Sequence, residues 1–236
     1  PRYIFWAIVM ISVPVILIGA QPDLGTSLIL ILTGVFVLFV SGISWRLVFG
    51  ALAIGFALAP VLWFFMREYQ RQRILILLNP ESDALGAGWN IIQSKTAIGS
   101  GGIFGKGLFQ GTQSNLDFLP ETKTDFVLAV LGEELGFLIG TVPVLTLFLL
   151  IFFQGVKIAK NCNDPFGVFL SIGIATNFIL YAFVNAAVVT GLLPVTGLPM
   201  PMVSYGGSGM IINMSLIGIL LNISQAKRVV GDNGWI

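Results

Sequence analysis

Six stretches of this chain are apolar over nearly the length that a helix needs to cross a lipid bilayer. A hydrocarbon core of roughly 30 Å takes about 20 residues of α-helix. Because lipid offers no hydrogen-bond partner to an unpaired backbone amide, each stretch is predicted to be helical. The stretches are Tyr3 to Gly19, Leu24 to Val40, Leu47 to Met66, Phe126 to Phe153, Phe166 to Thr190 and Val203 to Ile223. The sequence therefore predicts an all-α polytopic membrane protein with about six spans.

Composition excludes several classes of protein. Of the 236 residues, 56% are hydrophobic and only 10% are charged, which is too little polar surface to cover a large soluble protein with buried helices. The net charge of +1 leaves no basic surface for nucleic acid. Histidine is absent and cysteine occurs once, which excludes His/Cys metal clusters, a Ser-His-Asp triad and an internal disulfide. Any catalysis must therefore use carboxylates and cations.

Lysine and arginine are unevenly distributed over the short connections between the predicted spans. On one side of the membrane they occur at Arg2, Arg46, Lys157, Lys160, Lys227 and Arg228. The short connections on the other side, residues 21–23 and 191–202, contain neither. Because short cytoplasmic connections are enriched in these cations, the pattern predicts that the first set of connections and the C-terminus are cytoplasmic. The chain would form one membrane domain, residues 1–236, with one long extracytoplasmic loop, residues 67–125.

The long loop and a later segment carry further structural signals. Tyr69 to Leu78 is basic and then apolar, which is typical of an amphipathic helix at the headgroup level. Trp89 to Thr96 is predicted to form a second short helix, ended by the glycines between Ile98 and Gly102. Leu193 to Pro201 contains three prolines and cannot be a regular helix. Since it is also apolar, we expect it to enter the protein at membrane depth.

Asp125 lies where the long loop meets the fourth predicted span. Thr124 and Asp125 could cap that helix, because both side chains accept hydrogen bonds from free amides at a helix start. The alternative is catalysis. A carboxylate at the membrane surface, close to Lys123 and Glu121, could act as a general base on a hydroxyl of a lipid-linked substrate. The residues alone leave both interpretations open.

Other polar residues lie in or beside the predicted spans. Glu133 and Glu134 would lie roughly 12 to 14 Å along the fourth span from Asp125, at 1.5 Å per residue. Carboxylates at that depth usually pair with a partner, so structural pairing is favoured over chemistry. Asp23 opens the second span and either caps it or faces a polar cavity. Ser204 and Tyr205 lie at the start of the last predicted span and are assigned, with Glu121, to polar structure around a cavity.

Basic residues and glycines of the long loop suggest an anion site. The run from Ile98 to Gly107, with Gly101 and Gly102 at its centre, could offer backbone amides to a phosphate. The loop cations would suit an anionic headgroup attached to a lipid. These cations are Arg71, Arg73, Lys95, Lys106 and Lys123. The alternative is ordinary snorkelling of Lys and Arg side chains to the membrane surface.

Taken together, these motifs resemble the SEDS family (shape, elongation, division and sporulation), and within it the RodA branch. The matching stretches are Gln21 to Thr26, Tyr69 to Arg73, Asn79 to Asp83, Leu85 to Gly88, Gln93 to Lys95, Ile98 to Gly107, Gly111 to Ser114, Phe118 to Glu121, Thr124 to Phe126, Glu133 to Gly136 and Pro201 to Ser208. They cover essentially the whole chain in order. Family members have ten spans, so the resemblance implies that these six are the last six and that the chain is a fragment lacking the N-terminal helices.

The resemblance implies a function. Members of this family polymerise peptidoglycan from lipid II at the outer face of the bacterial cytoplasmic membrane, beside a class B penicillin-binding protein. Asp125 would take the proton of the acceptor sugar hydroxyl, and undecaprenyl pyrophosphate would leave with inversion. The loop cations, with a divalent cation such as magnesium or manganese as a candidate cofactor, would offset charge on the pyrophosphate. The helix faces would supply grooves for lipid tails, and membrane lipids would be further partners.

One departure from the family pattern bears on the neighbourhood of Asp125. This chain has Lys123 where the family commonly has a histidine, which puts the role of that neighbour in doubt and leaves Asp125 itself in place. Two other functions remain open. A flippase or transporter would also use polar residues within the membrane and a broken helix. A scaffold would position a penicillin-binding protein without chemistry of its own.

Overall fold

All regular secondary structure in the described part of the chain is helical, which confirms the predicted fold class. A computed structural model describes residues 2–21, 23–83, 86–116 and 118–232. The α-helices are α1 (Arg2–Ala20), α2 (Leu24–Val40), α3 (Trp45–Phe65), α4 (Glu68–Leu78), α5 (Ala87–Gly101), α6 (Thr112–Asn115), α7 (Val127–Glu134), α8 (Val142–Asn161), α9 (Pro165–Val189) and α10 (Gly207–Asp232). A 3₁₀ turn covers Pro80–Ser82, and a π-helical turn covers Phe137–Thr141.

Five of the six predicted spans correspond to single helices. Helices α1, α2, α3 and α9 begin and end within two residues of the predicted bounds, and α10 starts at Gly207 instead of Val203. Among the described residues, three helices are long and apolar enough to cross a membrane: Phe137–Asn161, Pro165–Val189 and Gly207–Gln225. Shorter apolar helices cover Phe5–Ala20 and Leu24–Val40. The exact number of spans stays a prediction.

The fourth predicted span, Phe126 to Phe153, is wrong as one continuous helix. Helix α7 ends at Glu134, and the chain turns at Gly136, whose φ of +78° favours glycine. The amides of Phe137 and Leu138 then donate to the carbonyls of Gly102 and Ile103 in the long loop, at 2.9 and 3.0 Å. The membrane-spanning helix therefore starts at Phe137. Glu133 and Glu134 precede it and do not lie deep within a spanning helix.

The long loop is folded onto the helices. Helix α5 extends from Ala87 to Gly101 and is longer than predicted, because it continues through Ile98 and Gly99. Its buried face includes Ile91, Ser94, Ala97 and Gly101. The Ser94 hydroxyl donates to the carbonyl of Val189 at the end of α9, at 2.8 Å. Loop and spanning helices thus share one packed core.

Two glycines of α5 give a matched test of this packing. A Cβ at Gly101 would lie 2.1 Å from the carbonyl oxygen of Gly132 on α7, whereas a Cβ at Gly99 would meet nothing within 4 Å. We expect Gly101→Ala to force α5 and α7 apart and to cost about 1–3 kcal/mol. Gly99→Ala should be neutral or stabilising, since alanine is the better helix former. Thermal unfolding in detergent measures both; equal melting temperatures for the two variants would contradict the close contact between α5 and α7.

Helix α9 is the centre of the core. Its buried residues include Ala175, Phe178, Ala182 and Val189. Helix α8 packs closely on it, since a Cβ at Gly155 would lie 2.5 Å from the Cβ of Ala175. After α9, residues 191–206 contain no helix, as predicted for the proline-rich segment. This segment is called the proline loop below.

Candidate functional site

Asp125 lies in a tight turn between the long loop and α7. The N-cap of α7 is Phe126, and no side chain caps the helix. The Phe126 amide donates instead to the carbonyl of Glu121, a residue with a positive φ of 54°. Thr124 donates its hydroxyl to the Glu121 carboxylate at 2.7 Å. The capping role considered for Thr124 and Asp125 is therefore not observed, and the Asp125 carboxylate is left for another use.

The surroundings of Asp125 favour a proton acceptor. The side chain is partly buried, and burial raises the pKa of its carboxyl above the ordinary value. The negative charge of Glu121 raises this pKa further. In the part of the chain that the structure describes, no group donates a hydrogen bond to the Asp125 carboxylate. A carboxylate with a raised pKa and free oxygens is suited to general base chemistry.

Asn185 of α9 stabilises the turn at Asp125 from within the protein core. Its side-chain amide donates to the carbonyl of Asp125 at 2.8 Å and to the carbonyl of Leu198 at 2.9 Å. The residue is buried, with 2% of its surface exposed. Asn185 is not among the site residues predicted from the sequence, although an amide side chain within an apolar span is a signal of a polar contact. Asn185 joins the Asp125 turn to the proline loop.

The proline loop lies directly against Asp125. A Cβ at Gly197 would be 3.7 Å from Oδ2 of Asp125. The Ser204 hydroxyl donates to the carbonyl of Thr124 at 2.5 Å, and the Tyr205 amide donates to the carbonyl of Lys123 at 2.7 Å. Ser204 therefore fixes the loop beside the turn, whereas the Tyr205 side chain is 79% exposed.

A cavity of about 750 Å³ is lined by residues of α9, the proline loop and α10. Its polar lining residues include Asn177, Tyr181, Ser204, Tyr205 and Asn213. Asp125 is not among its lining residues. Ser204 connects the two features, since it both lines the cavity and bonds to the residue before Asp125.

Glu133 is a fully buried carboxylate, with 0% of its side chain exposed. It forms an ion pair with Lys106 at 2.7 Å and accepts the amides of Thr112 and Gln113 at 2.8 and 2.9 Å. The amide and hydroxyl of Ser114 lie at 3.3 Å. Burial acts to raise the pKa of Glu133, but the bonds from Gln113 and Lys106 outweigh it and lower the pKa. Glu133 thus fastens the loop segment 106–114 onto the end of α7.

The remaining cations of the loop have separate neighbours. Arg71 donates to the carbonyls of Trp63 and Phe64, where it closes the end of α3. Arg73 lines a mostly apolar cavity of about 320 Å³ between α2, α4 and the proline loop. The Lys95 side chain packs against Gly191, since a Cβ at Gly191 would lie 2.3 Å from Cε of Lys95. Lys123 is exposed two residues before Asp125.

The glycine run does not form a phosphate cradle around Gly101 and Gly102. Gly101 is buried against the backbone of α7, and the Gly102 carbonyl accepts the Phe137 amide. The next amides are also used within the chain: Gly105 donates to Gly101, while Lys106 and Gly107 donate to the carbonyls of Glu133 and Glu134. These glycines allow close backbone approach, which is a packing role.

Asp23 caps α2. Its carboxylate accepts the amide of Thr26 at 3.0 Å and the Thr26 hydroxyl at 2.6 Å. Next to it, a Cβ at Gly25 would lie 2.9 Å from side-chain atoms of Thr196 and Leu198, so the start of α2 packs against the proline loop. This contact connects α2 to the loop that borders Asp125.

The described residues do not provide a complete metal site. No group of three or more Asp, Glu or Cys side chains that could hold an ion is present among them. Asp125 and Glu121 are close enough to interact electrostatically. One or two carboxylates are the usual protein ligands of magnesium where water and substrate phosphates complete its coordination, so these two side chains would be the ones to hold such an ion.

Comparison with known proteins identifies the family. A family model described as "Cell cycle protein", FTSW_RODA_SPOVE, matches residues 1–229. The chain belongs to this family. The predicted resemblance to the SEDS family is thereby confirmed. Two curated relatives are the peptidoglycan glycosyltransferase MrdB of Escherichia coli K12, 51% identical over 228 residues, and the probable peptidoglycan glycosyltransferase FtsW of Geobacter sulfurreducens, 45% identical over 222 residues. The higher identity to MrdB agrees with the RodA branch.

Alignment lengths show how much of each relative is represented. The match covers 96% of this chain and 61% of MrdB, and 93% of this chain and 58% of FtsW. The chain therefore spans about three fifths of the length of the curated relatives it matches. The activity of the full-length relatives can therefore only be proposed for this chain.

Solved structures show the same fold. One, described as structural coordination of polymerization and crosslinking by a peptidoglycan synthase complex, matches with a TM-score of 0.77 at 30% identity, over 94% of this chain and 61% of that one. The rod shape-determining protein RodA of Thermus thermophilus, solved as a mutant, matches with a TM-score of 0.61 at 26% identity, over 94% and 58%. Both support the arrangement of helices described above.

Proposed function

We propose that this chain is the catalytic part of a peptidoglycan glycosyltransferase that polymerises lipid II during cell elongation. The observation that carries the proposal is the Asp125 carboxylate, which caps no helix, accepts no hydrogen bond from a described residue and has a raised pKa. The names of the relatives support the reaction class, since MrdB and FtsW are described as peptidoglycan glycosyltransferases.

The proposed reaction is a displacement at a sugar carbon. Asp125 takes the proton from the acceptor sugar hydroxyl while that oxygen forms a bond to the anomeric carbon of the donor. The bond from this carbon to the pyrophosphate oxygen breaks, and undecaprenyl pyrophosphate leaves with inversion. Lys123 and Arg73 are proposed to offset its negative charge, because neither forms an ion pair with a described residue. Lys106 is paired with Glu133 and is proposed to hold the loop.

The proposal also includes location and partners. The loop of residues 67–125 lies outside the cytoplasmic membrane, where lipid II is presented, and the C-terminus is cytoplasmic. A class B penicillin-binding protein would cross-link the strands. Support comes from the similar solved chain, which belongs to a structure of a peptidoglycan synthase complex.

Reconstitution with lipid II tests the reaction directly. The longer protein containing this chain, purified with its transpeptidase partner and supplied with labelled lipid II, is expected to make glycan strands and release undecaprenyl pyrophosphate. Transport of labelled lipid across sealed vesicles without polymer would instead support a flippase. Neither activity would leave the scaffold as the remaining function.

The pH dependence of polymerisation should report on Asp125. Only the ionised carboxylate can accept a proton, so the rate is expected to fall as the pH drops through its raised pKa. Glu121→Gln removes the negative charge that helps to raise this pKa. The acid limb of the rate profile should therefore move to lower pH. Initial rates over a pH series check this; an acid limb that stays in place or moves to higher pH would contradict the assignment.

A further inference from the structure

A group of large apolar side chains is exposed on the long loop. Ile103, Phe104, Leu108 and Phe109, here called the apolar tip, have 61%, 70%, 61% and 83% of their surface exposed. They follow directly after α5 in the chain. Exposure of several large side chains on one short segment marks a contact with something other than water.

The apolar tip is joined to the start of a membrane span. The carbonyls of Gly102 and Ile103 accept the amides of Phe137 and Leu138, the first residues of the span Phe137–Asn161. Phe137, Leu138 and Ile139 are themselves 51–56% exposed. The tip therefore extends the exposed apolar surface of the span.

The segment is also free of net charge. Between Lys95 and Asp117 the sequence contains one charged residue, Lys106. Its charge is balanced by the fully buried Glu133 at 2.7 Å. The amides of Gly105, Lys106 and Gly107 all donate to backbone carbonyls of the chain. The charge of Lys106 and the backbone amides of residues 105–107 are thus satisfied within the chain, which lowers the cost of bringing the neighbouring apolar side chains into lipid.

Phe109 is held in a strained conformation that exposes it. Its φ of +61° is unfavourable for a bulky residue, and its carbonyl accepts the side-chain amide of Asn115 at 2.6 Å. Strain of this kind persists where the surrounding structure enforces it, often for function. Here the backbone conformation places the aromatic ring of Phe109 in an exposed position.

We propose that the side chains of the apolar tip insert into the acyl region of the bilayer beside the start of the span at Phe137. The loop is then anchored in the same leaflet as the tail of any lipid-linked substrate that reaches Asp125. Insertion depends on the membrane alone and is independent of the proposed catalytic function.

Fluorescence quenching tests the insertion. In a background of the longer protein in which Cys162 and any cysteine outside residues 1–236 are replaced by serine, single cysteines at Phe104 or Phe109 are labelled with an environment-sensitive dye in phosphatidylcholine nanodiscs. Leu149→Cys, exposed on the middle of α8, is the lipid control, and Asn163→Cys, exposed between α8 and α9, is the water control. Lipids brominated on the acyl chain should quench positions 104 and 109 as strongly as 149, and aqueous iodide should quench only 163.

Two results would overturn the proposal. Quenching of 104 and 109 by iodide but not by bromolipid would place the tip in water. Protection from both quenchers would mean that protein covers it. Leu108→Cys supplies a third position, so the failure of one variant to fold leaves the test intact.

Discussion

Asp125→Asn is expected to lower the rate of lipid II polymerisation by about 10²- to 10⁴-fold, the usual contribution of a general base. Asparagine has the same shape but cannot accept the proton of the sugar hydroxyl. Folding should be unaffected, because the carboxylate accepts no hydrogen bond from a described residue and caps no helix. Polymerisation kinetics on the longer protein, with a melting curve for each preparation, provide the measurement.

Asp164→Asn is a matched control for this substitution. Asp164 caps α9 through the amide of Gly167 at 3.0 Å, and asparagine serves as an N-cap about as well as aspartate. This variant should retain both stability and polymerisation. If the Asp125 variant polymerises at the rate of the Asp164 variant, Asp125 is not the base.

Glu133→Ala should cause the largest loss of stability. The change removes the acceptor of the Thr112 and Gln113 amides and the negative charge opposite Lys106, whose ammonium keeps only its bond to the Thr112 hydroxyl. Removal of one partner of a buried ion pair costs about 3–5 kcal/mol, and partial exposure of Lys106 places the expected loss of unfolding free energy near the lower end. Denaturation in detergent and limited proteolysis of residues 106–114 measure the effect.

Glu134→Ala is the control for that prediction. Glu134 is the next residue on α7, is only partly buried and contributes its backbone carbonyl, which alanine retains. Its loss should change stability by no more than about 0.5 kcal/mol. Equal destabilisation by the two substitutions would show that Glu133 does not fasten the loop. The double variant Lys106→Met with Glu133→Gln should be more stable than Glu133→Ala, because no unpaired charge remains.

Most helices could be predicted because their cause is local. A run of apolar residues of the length of α2 or α9 must be helical in lipid wherever the rest of the chain lies. The absence of helix in the proline-rich segment after α9 could also be predicted, since proline cannot continue a helix. The same local signal failed at Phe126 to Phe153, where apolarity continues through a break. Glycine is common in spanning helices, so its presence in the sequence does not mark a helix end. The helix ends at Gly136 because this residue adopts a positive φ and packs against the backbone of Gly105.

The sequence alone therefore determined an all-α membrane protein, the family resemblance and the candidate carboxylate at Asp125. Tertiary structure alone decided which polar groups meet: Glu133 with Lys106, 27 residues apart, and Asn185 with Asp125, 60 residues apart. Residue type and spacing along one helix carry no information about partners on another segment. Among the described residues, Glu133 has an ion-pair partner and Asp125 has none. This difference follows from how the loop folds back onto α7 and α9, because packing determines which charged groups come within reach of each other.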